Sequence, residues 1–176
     1  MYHRLCNPLL SNSFFLFGGR GTGKSTLLKT LLPPGPKVLW INLLDSVTYH
    51  KLVANPSLFK EMIPKDFKSD CWVVADEIQR LPELLNLVHL LIEERKIKFA
   101  LTGSSARKLK RGSANLLAGR AFLNSLFPLT HIELKTDFAL ESVLNWGSLP
   151  KTFEFTDDQS KKEFLRTYVA TYLREE

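Results

Sequence analysis

The sequence predicts an α/β fold: a three-layer sandwich with a central, mainly parallel sheet covered by helices on both faces. Three observations predict it. The apolar runs at 13–17, 37–43, 71–75, 97–101 and 121–129 are near-continuous rather than alternating, as strands buried on both faces require. Segments of helical spacing separate most of them, which is the pattern of crossover connections. A glycine-rich stretch also joins the first apolar run directly to the first helical one.

In chain order, residues 2–12 read as a short helix or arm. Ser13 to Phe17 is an aromatic, buried strand. Lys24 onward (Ser-Thr-Leu-Leu-Lys-Thr-Leu-Leu) is a helix, ended by Pro33-Pro34-Gly35-Pro36. Lys37 to Leu43 reads as a second buried strand. Asp45 to Met62 is mixed and broken at Asn55-Pro56, which predicts two short helices. After a polar connection, Cys71 to Ala75 is the third strand. Leu84, Leu85, Val88, Leu91 and Ile92 put one apolar face on a helix over 82–96. Ile97 to Leu101 is the fourth strand. Ala106 to Ala118 is helical or mixed, broken at Gly112. Ala121 to Leu129 is the fifth strand, and Lys161 to Glu175 is an amphipathic helix.

The chemistry concentrates at the ends of strands. Gly18 to Ser25 fits G-x-x-x-x-G-K-[ST], the P-loop pattern, in its required strand–loop–helix context. Gly18, Gly19, Gly21 and Gly23 leave no Cβ in the way of a phosphate. The helix N-terminus adds partial positive charge. The expected nucleotide contacts are Gly18, Gly19, Arg20, Gly21, Thr22, Gly23, Lys24, Ser25 and Thr26. Lys24 would reach the β- and γ-phosphates and Ser25 would ligate Mg²⁺.

Trp72-Val-Val-Ala-Asp76-Glu77 is an apolar strand ending in two carboxylates, a Walker B pattern. Asp76 would take a water-mediated place on Mg²⁺, and Glu77 would polarise an attacking water. Phe99-Ala-Leu-Thr102-Gly-Ser104-Ser105 ends another strand in small hydroxyl residues. Thr102 and Ser104 are its candidates for touching a γ-phosphate or orienting water, because ligands in such sheets sit at the carboxyl ends of strands.

Composition narrows the function classes. Apolar residues at 44% and charged residues at 24% suit a globular domain. No stretch approaches the roughly 18 uninterrupted apolar residues of a membrane helix. Two cysteines are too few for a disulfide framework or a zinc site, and no leader-like segment is visible, so the expectation is a reducing cytoplasm. The net charge of +6 is local. Residues 95–120 hold eight Lys or Arg and no Asp or Glu, leaving −2 elsewhere. Arg107, Arg111 and Arg120 could each face a phosphate, with Arg120 the best candidate. Arg107, Lys108, Lys110 and Arg111 could instead meet nucleic acid. The absence of interleaved aromatics argues against base stacking there.

With these runs in hand, the chain resembles the prokaryotic AAA-type ATPases, close to the archaeal ATPase group, that carry a C-terminal domain of unknown function. The resemblance rests on Ser13-Phe-Phe-Leu-Phe-Gly with the P-loop, Asp76-Glu-Ile-Gln-Arg-Leu-Pro and Leu101-Thr-Gly-Ser-Ser-Ala-Arg. Leu117-Ala-Gly-Arg, Trp146-Gly-Ser-Leu-Pro150 and Tyr168-Val-Ala-Thr-Tyr-Leu-Arg-Glu175 extend it over essentially the whole chain. Gly19 departs from the pattern, which has proline there.

The resemblance implies an AAA-type ATPase core with ATP and Mg²⁺, adenine as the base, and strand order 5-1-4-3-2. It implies an arm over 1–12, the core over 13–135, and a helical segment over 136–176 leading to a second domain. Partners would be nucleotide, with a partner protein or further copies of the chain. Alternatives to ATP hydrolysis coupled to movement are a nucleotide-binding switch with little turnover, a P-loop phosphoryl transferase, and a nucleic-acid-associated ATPase.

Overall fold

A computed structural model describes residues 2–104, 109, 117 and 119–173. The chain divides into two compact units, one of Cys6–Gly18 with Lys24–Ser125, the other of Met1–Leu5, Gly19–Gly23 and Leu126–Glu176.

The first unit is built on five parallel strands among the described residues: β1 (Ser13–Phe17), β2 (Val38–Asn42), β3 (Trp72–Asp76), β4 (Lys98–Gly103) and β5 (Ala121–Ser125). They lie in the order β2-β3-β4-β1-β5, the reverse reading of the expected 5-1-4-3-2. Every pair is parallel. The helices of this unit are α1 (Lys24–Leu31), α2 (Ser46–Ala54), α3 (Leu58–Met62) and α4 (Leu84–Arg95).

Burial explains the apolar runs. β1 and β3 are buried along their whole length, and β4 everywhere except Lys98. Alternate residues supply opposite faces. Phe15, Phe17, Val73, Ala75, Phe99 and Leu101 join one core cluster with Leu52, Phe59, Leu84, Leu85, Val88 and Leu91 from α2, α3 and α4. Phe14, Leu16, Val74 and Ala100 are equally buried on the other face, and Leu27 and Leu28 of α1 are buried outside that cluster.

The two outer strands differ from the sequence expectation. Only Ile41 of β2 is buried, and Phe122 and Leu123 of β5 are exposed, because each has a single hydrogen-bonded neighbour. β5 also stops at Ser125 rather than at residue 129.

Helix ends follow local chemistry. The Asp45 carboxylate accepts the Thr48 N–H at 2.8 Å and starts α2. α4 ends where Lys96 turns left-handed at φ 56°. The helix expected over 106–118 falls almost wholly outside the described residues.

The second unit carries α5 (His131–Leu134), α6 (Leu140–Trp146) and α7 (Asp158–Tyr168), the last continued by a π-helical stretch over Val169–Leu173. α7 begins at Asp158 rather than at the expected residue 161, because the Asp157 side chain caps it by accepting the Ser160 N–H at 2.8 Å. Of the two alternatives expected for residues 2–12, a short helix or an arm, the segment is an arm without regular secondary structure. No helix among the described residues is long and apolar enough to cross a membrane.

Candidate functional site

Register brings the chemistry-bearing strand ends together in the first unit. Ala75 pairs with Leu101, so Asp76 and Thr102 emerge side by side at the carboxyl edge of the sheet. The Thr102 hydroxyl donates to Asp76 Oδ1 and accepts the Glu77 N–H at 3.0 Å. Ser25 Oγ, one residue into α1, donates to Asp76 Oδ2 at 2.8 Å. Both oxygens of one carboxylate are thus held by hydroxyls from two different elements. Thr102 is completely buried, and Lys24, Asp76 and Glu77 are nearly so. Lys24 Nζ donates to the Gly18 carbonyl at 2.8 Å, and the Gly18 N–H reaches the Gly103 carbonyl at 3.3 Å. Thr26 is exposed on α1.

Glu77 follows β3 in the left-handed region, at φ 60° and ψ 45°. A 3₁₀ turn over Ile78–Arg80 comes next. It returns Gln79 onto Glu77, where the Gln79 Nε2 group donates to Glu77 Oε2 and to Ser104 Oγ, the latter at 3.2 Å. Sequence reasoning missed Gln79, although it lies inside the Asp76-Glu-Ile-Gln run.

Arg120 sits elsewhere. It immediately precedes β5, which runs parallel to β1, so it stands at the amino-terminal edge of the sheet. Gly18 follows β1 at the opposite edge. There Arg120 Nε is paired with Glu93 near the end of α4. Arg107, Lys108, Lys110 and Arg111 lie outside the described residues.

In the second unit, the loop Gly19–Gly23 is closed by the Thr22 N–H and hydroxyl, both donating to the Gly19 carbonyl, the hydroxyl at 2.8 Å. Gly21 and Gly23 have φ of 75° and 93°, which side-chain-bearing residues rarely adopt. The Tyr168 hydroxyl donates to the Arg20 carbonyl at 3.0 Å, and the Arg20 guanidinium lies 4.4 Å over the Tyr172 ring.

Arg4 from the arm holds the loop backbone. Its Nη1 donates to the Thr22 carbonyl at 2.6 Å, its Nη2 to the Phe127 carbonyl, and its Nε pairs with Glu133 Oε1 at 3.0 Å. Glu133 also accepts the N–H groups of Leu5 and Thr130. Burial pushes the Glu133 carboxyl up, but these two N–H bonds and the Arg4 guanidinium outweigh it and leave it below its ordinary value. Arg4 and Glu133 escaped the sequence reading. Thr130-His-Ile-Glu133 did carry a visible signal, a capping box, which the structure forms.

The donor set suits a hard cation bound with phosphates. Ser25 Oγ and the Asp76 carboxylate offer hard oxygen atoms of the kind Mg²⁺ takes one or two at a time while keeping water and phosphate oxygens. No cluster of three or more His, Cys, Asp or Glu that could hold a metal by itself occurs among the described residues.

A parallel sheet in this order, with a glycine loop after β1 and a carboxylate pair at the carboxyl end of β3, defines a P-loop nucleoside-triphosphatase core. The chain belongs to the AAA domain family, whose model matches residues 11–135, and is a nucleotide-binding module of the ATPase class. No curated protein matches it. Among solved structures it is similar to domain III of the replication initiation protein DnaA from Thermotoga maritima, with 17% identity and a TM-score of 0.44, covering 72% of this chain and 59% of that one. It is also similar to the Aeropyrum pernix ORC1 protein in complex with DNA, with 16% identity, a TM-score of 0.42, and 71% and 42% covered. The Aeropyrum pernix ORC2 protein in its ADP form gives 18% identity, a TM-score of 0.46, and 77% and 47% covered. The chain therefore spans between 42% and 59% of the length of these proteins.

Proposed function

We propose that this AAA domain binds ATP with Mg²⁺ and hydrolyses it, converting nucleotide state into movement of a partner or an attached domain. The observation that carries the reading is the carboxylate pair at the carboxyl end of β3. Asp76 is hydrogen-bonded by hydroxyls from α1 and β4, and Glu77 follows it directly. Mere binding needs no second carboxylate; activation of water does.

The roles divide as follows. Gly18 to Thr26 cradle the triphosphate, and Lys24 neutralises charge on its outer phosphates. Ser25 and Asp76 hold Mg²⁺, which when bound offsets the charge that builds on the transferring phosphoryl group. Glu77 accepts a proton from water as the water oxygen bonds to the terminal phosphorus. The bond from that phosphorus to the bridging oxygen breaks, and ADP leaves with the electron pair. Thr102 fixes the Asp76 carboxylate, and Ser104 stands beside it as the sensing hydroxyl. Residues 136–176 are proposed as the segment through which the core acts on its output.

The test is ATP binding and phosphate release measured together with Mg²⁺ on the parent, Lys24→Ala and Glu77→Gln. The reading expects Lys24→Ala to lose binding, and Glu77→Gln to bind normally without turnover. Equal release by Glu77→Gln and the parent would remove Glu77 from its role. Binding without release in the parent would favour the switch over the hydrolase.

A further inference from the structure

We propose that Gln79 is a positioning residue for hydrolysis: its carboxamide holds the Glu77 carboxylate in the orientation that receives the proton of the attacking water, and ties it to Ser104. This rests on the reading of Glu77 given above.

The geometry is a two-ended clamp. Gln79 Nε2 has two hydrogens and both are used, one on Glu77 Oε2 and one on Ser104 Oγ. The bond described for the Glu77 carboxylate is made to Oε2, and on this proposal the proton of the attacking water goes to Oε1. The amide orientation follows from its partner, since a carboxylate needs a donor and only the NH₂ end supplies one.

The other end of the amide shows what this arrangement costs the fold. Gln79 Oε1 is buried with no hydrogen-bond partner, alone in that respect among the described side chains. A buried acceptor without a donor opposes folding and offsets part of what the two bonds of the NH₂ group contribute. Gly103 adds an independent sign of a tight fit. A Cβ built on it would lie 2.8 Å from Gln79 Oε1, against 3.4 Å from the Phe17 ring. The residue between Thr102 and Ser104 is thus one that leaves the amide its place. A larger residue at 103 would have to displace the amide oxygen of Gln79.

Two variants perturb the clamp from opposite sides. Gln79→Met keeps the length and apolar stem but removes the donor. Gly103→Ala keeps the donor and displaces it. Equilibrium affinities for MgADP, and for MgADP with aluminium fluoride as a mimic of the transferring phosphate with its in-line water, are measured beside the parent and Glu77→Gln. Thermal unfolding of each variant is recorded.

Both variants should bind MgADP within about twofold of the parent and the fluoride complex about tenfold or more weakly, since a small misplacement of a catalytic group is felt mainly at the transition state. Gln79→Met loses the orphaned oxygen but also the donor to the nearly buried Glu77 carboxylate, so thermal unfolding is read only to show that each variant is folded at the assay temperature. If the variants hold the fluoride complex as the parent does while Glu77→Gln has lost it, Gln79 has no such role and the function assigned to Glu77 stands. A parallel loss of MgADP affinity would make Gln79 a structural residue and overturn the proposal. If Glu77→Gln also keeps the fluoride complex, or if the parent holds it no better than MgADP, Glu77 is not poised. Both readings then fall.

Discussion

Replacing Thr102 by valine tests the central hydrogen-bond relay. Valine has nearly the shape of threonine, so no cavity forms in the fully buried site. The lost hydroxyl leaves two groups stranded. The Glu77 N–H loses its acceptor, which costs about 1–3 kcal/mol for a buried donor. The Asp76 carboxylate loses a charge-assisted bond of roughly 1.5–3 kcal/mol. Together these give a destabilisation of about 4 kcal/mol, a large part of the 5–15 kcal/mol that domains have in total. At about 2–4 °C per kcal/mol for a chain of this size, the melting temperature should drop by roughly 8–16 °C. Denaturant and thermal unfolding followed by circular dichroism measure the free energy and the melting temperature, with Thr102→Ser beside Thr102→Val to restore the hydroxyl. A valine variant within about 0.5 kcal/mol of the parent, the scatter of an ordinary surface change, would refute the reasoning.

The Glu133 carboxyl lies below its ordinary value of 4.5, so its contribution is fully present above that value and is lost as pH falls through the lower folded one. Acid titration of stability should therefore show a limb below about pH 4.5 that Glu133→Gln flattens; an unchanged limb would deny the ion pair that role. Phe99→Ala removes a fully buried ring that faces Phe59 at 6.4 Å and should cost about 3–5 kcal/mol in urea unfolding. Arg120→Ala breaks a half-exposed pair with Glu93, and the loss of that pair should contribute less than about 1 kcal/mol in the same assay.

The buried central strands were legible because their sequences leave no alternative. Ser-Phe-Phe-Leu-Phe and Trp-Val-Val-Ala-Asp cannot expose a face, and both lie inside the sheet. Which strands form the edges was given by the resemblance alone and not by the residues of the strands, because pairing is decided by crossovers. Lys37 to Leu43 reads like a central strand yet has one neighbour. Asp76, Thr102 and Ser25 could be named as single candidates from their motifs, whereas the bonds joining them depend on the register of β3 with β4. Arg4 carries no pattern at all, since its partner lies 129 residues further on. Gln79 was hidden by its spacing. A residue two positions on from Glu77 points away in a helix, and only the 3₁₀ turn entered from a left-handed residue folds it back.

That left-handed residue has a consequence for how the protein can be improved or can decay. A glutamate at φ 60° costs about 1–2 kcal/mol relative to a residue without Cβ. Glycine at position 77 would relax the backbone while removing the carboxylate. With the role proposed for Glu77, selection for heat resistance alone would drift toward a sturdier molecule without its water-activating carboxylate, and a stabilising screen should include phosphate release among its criteria.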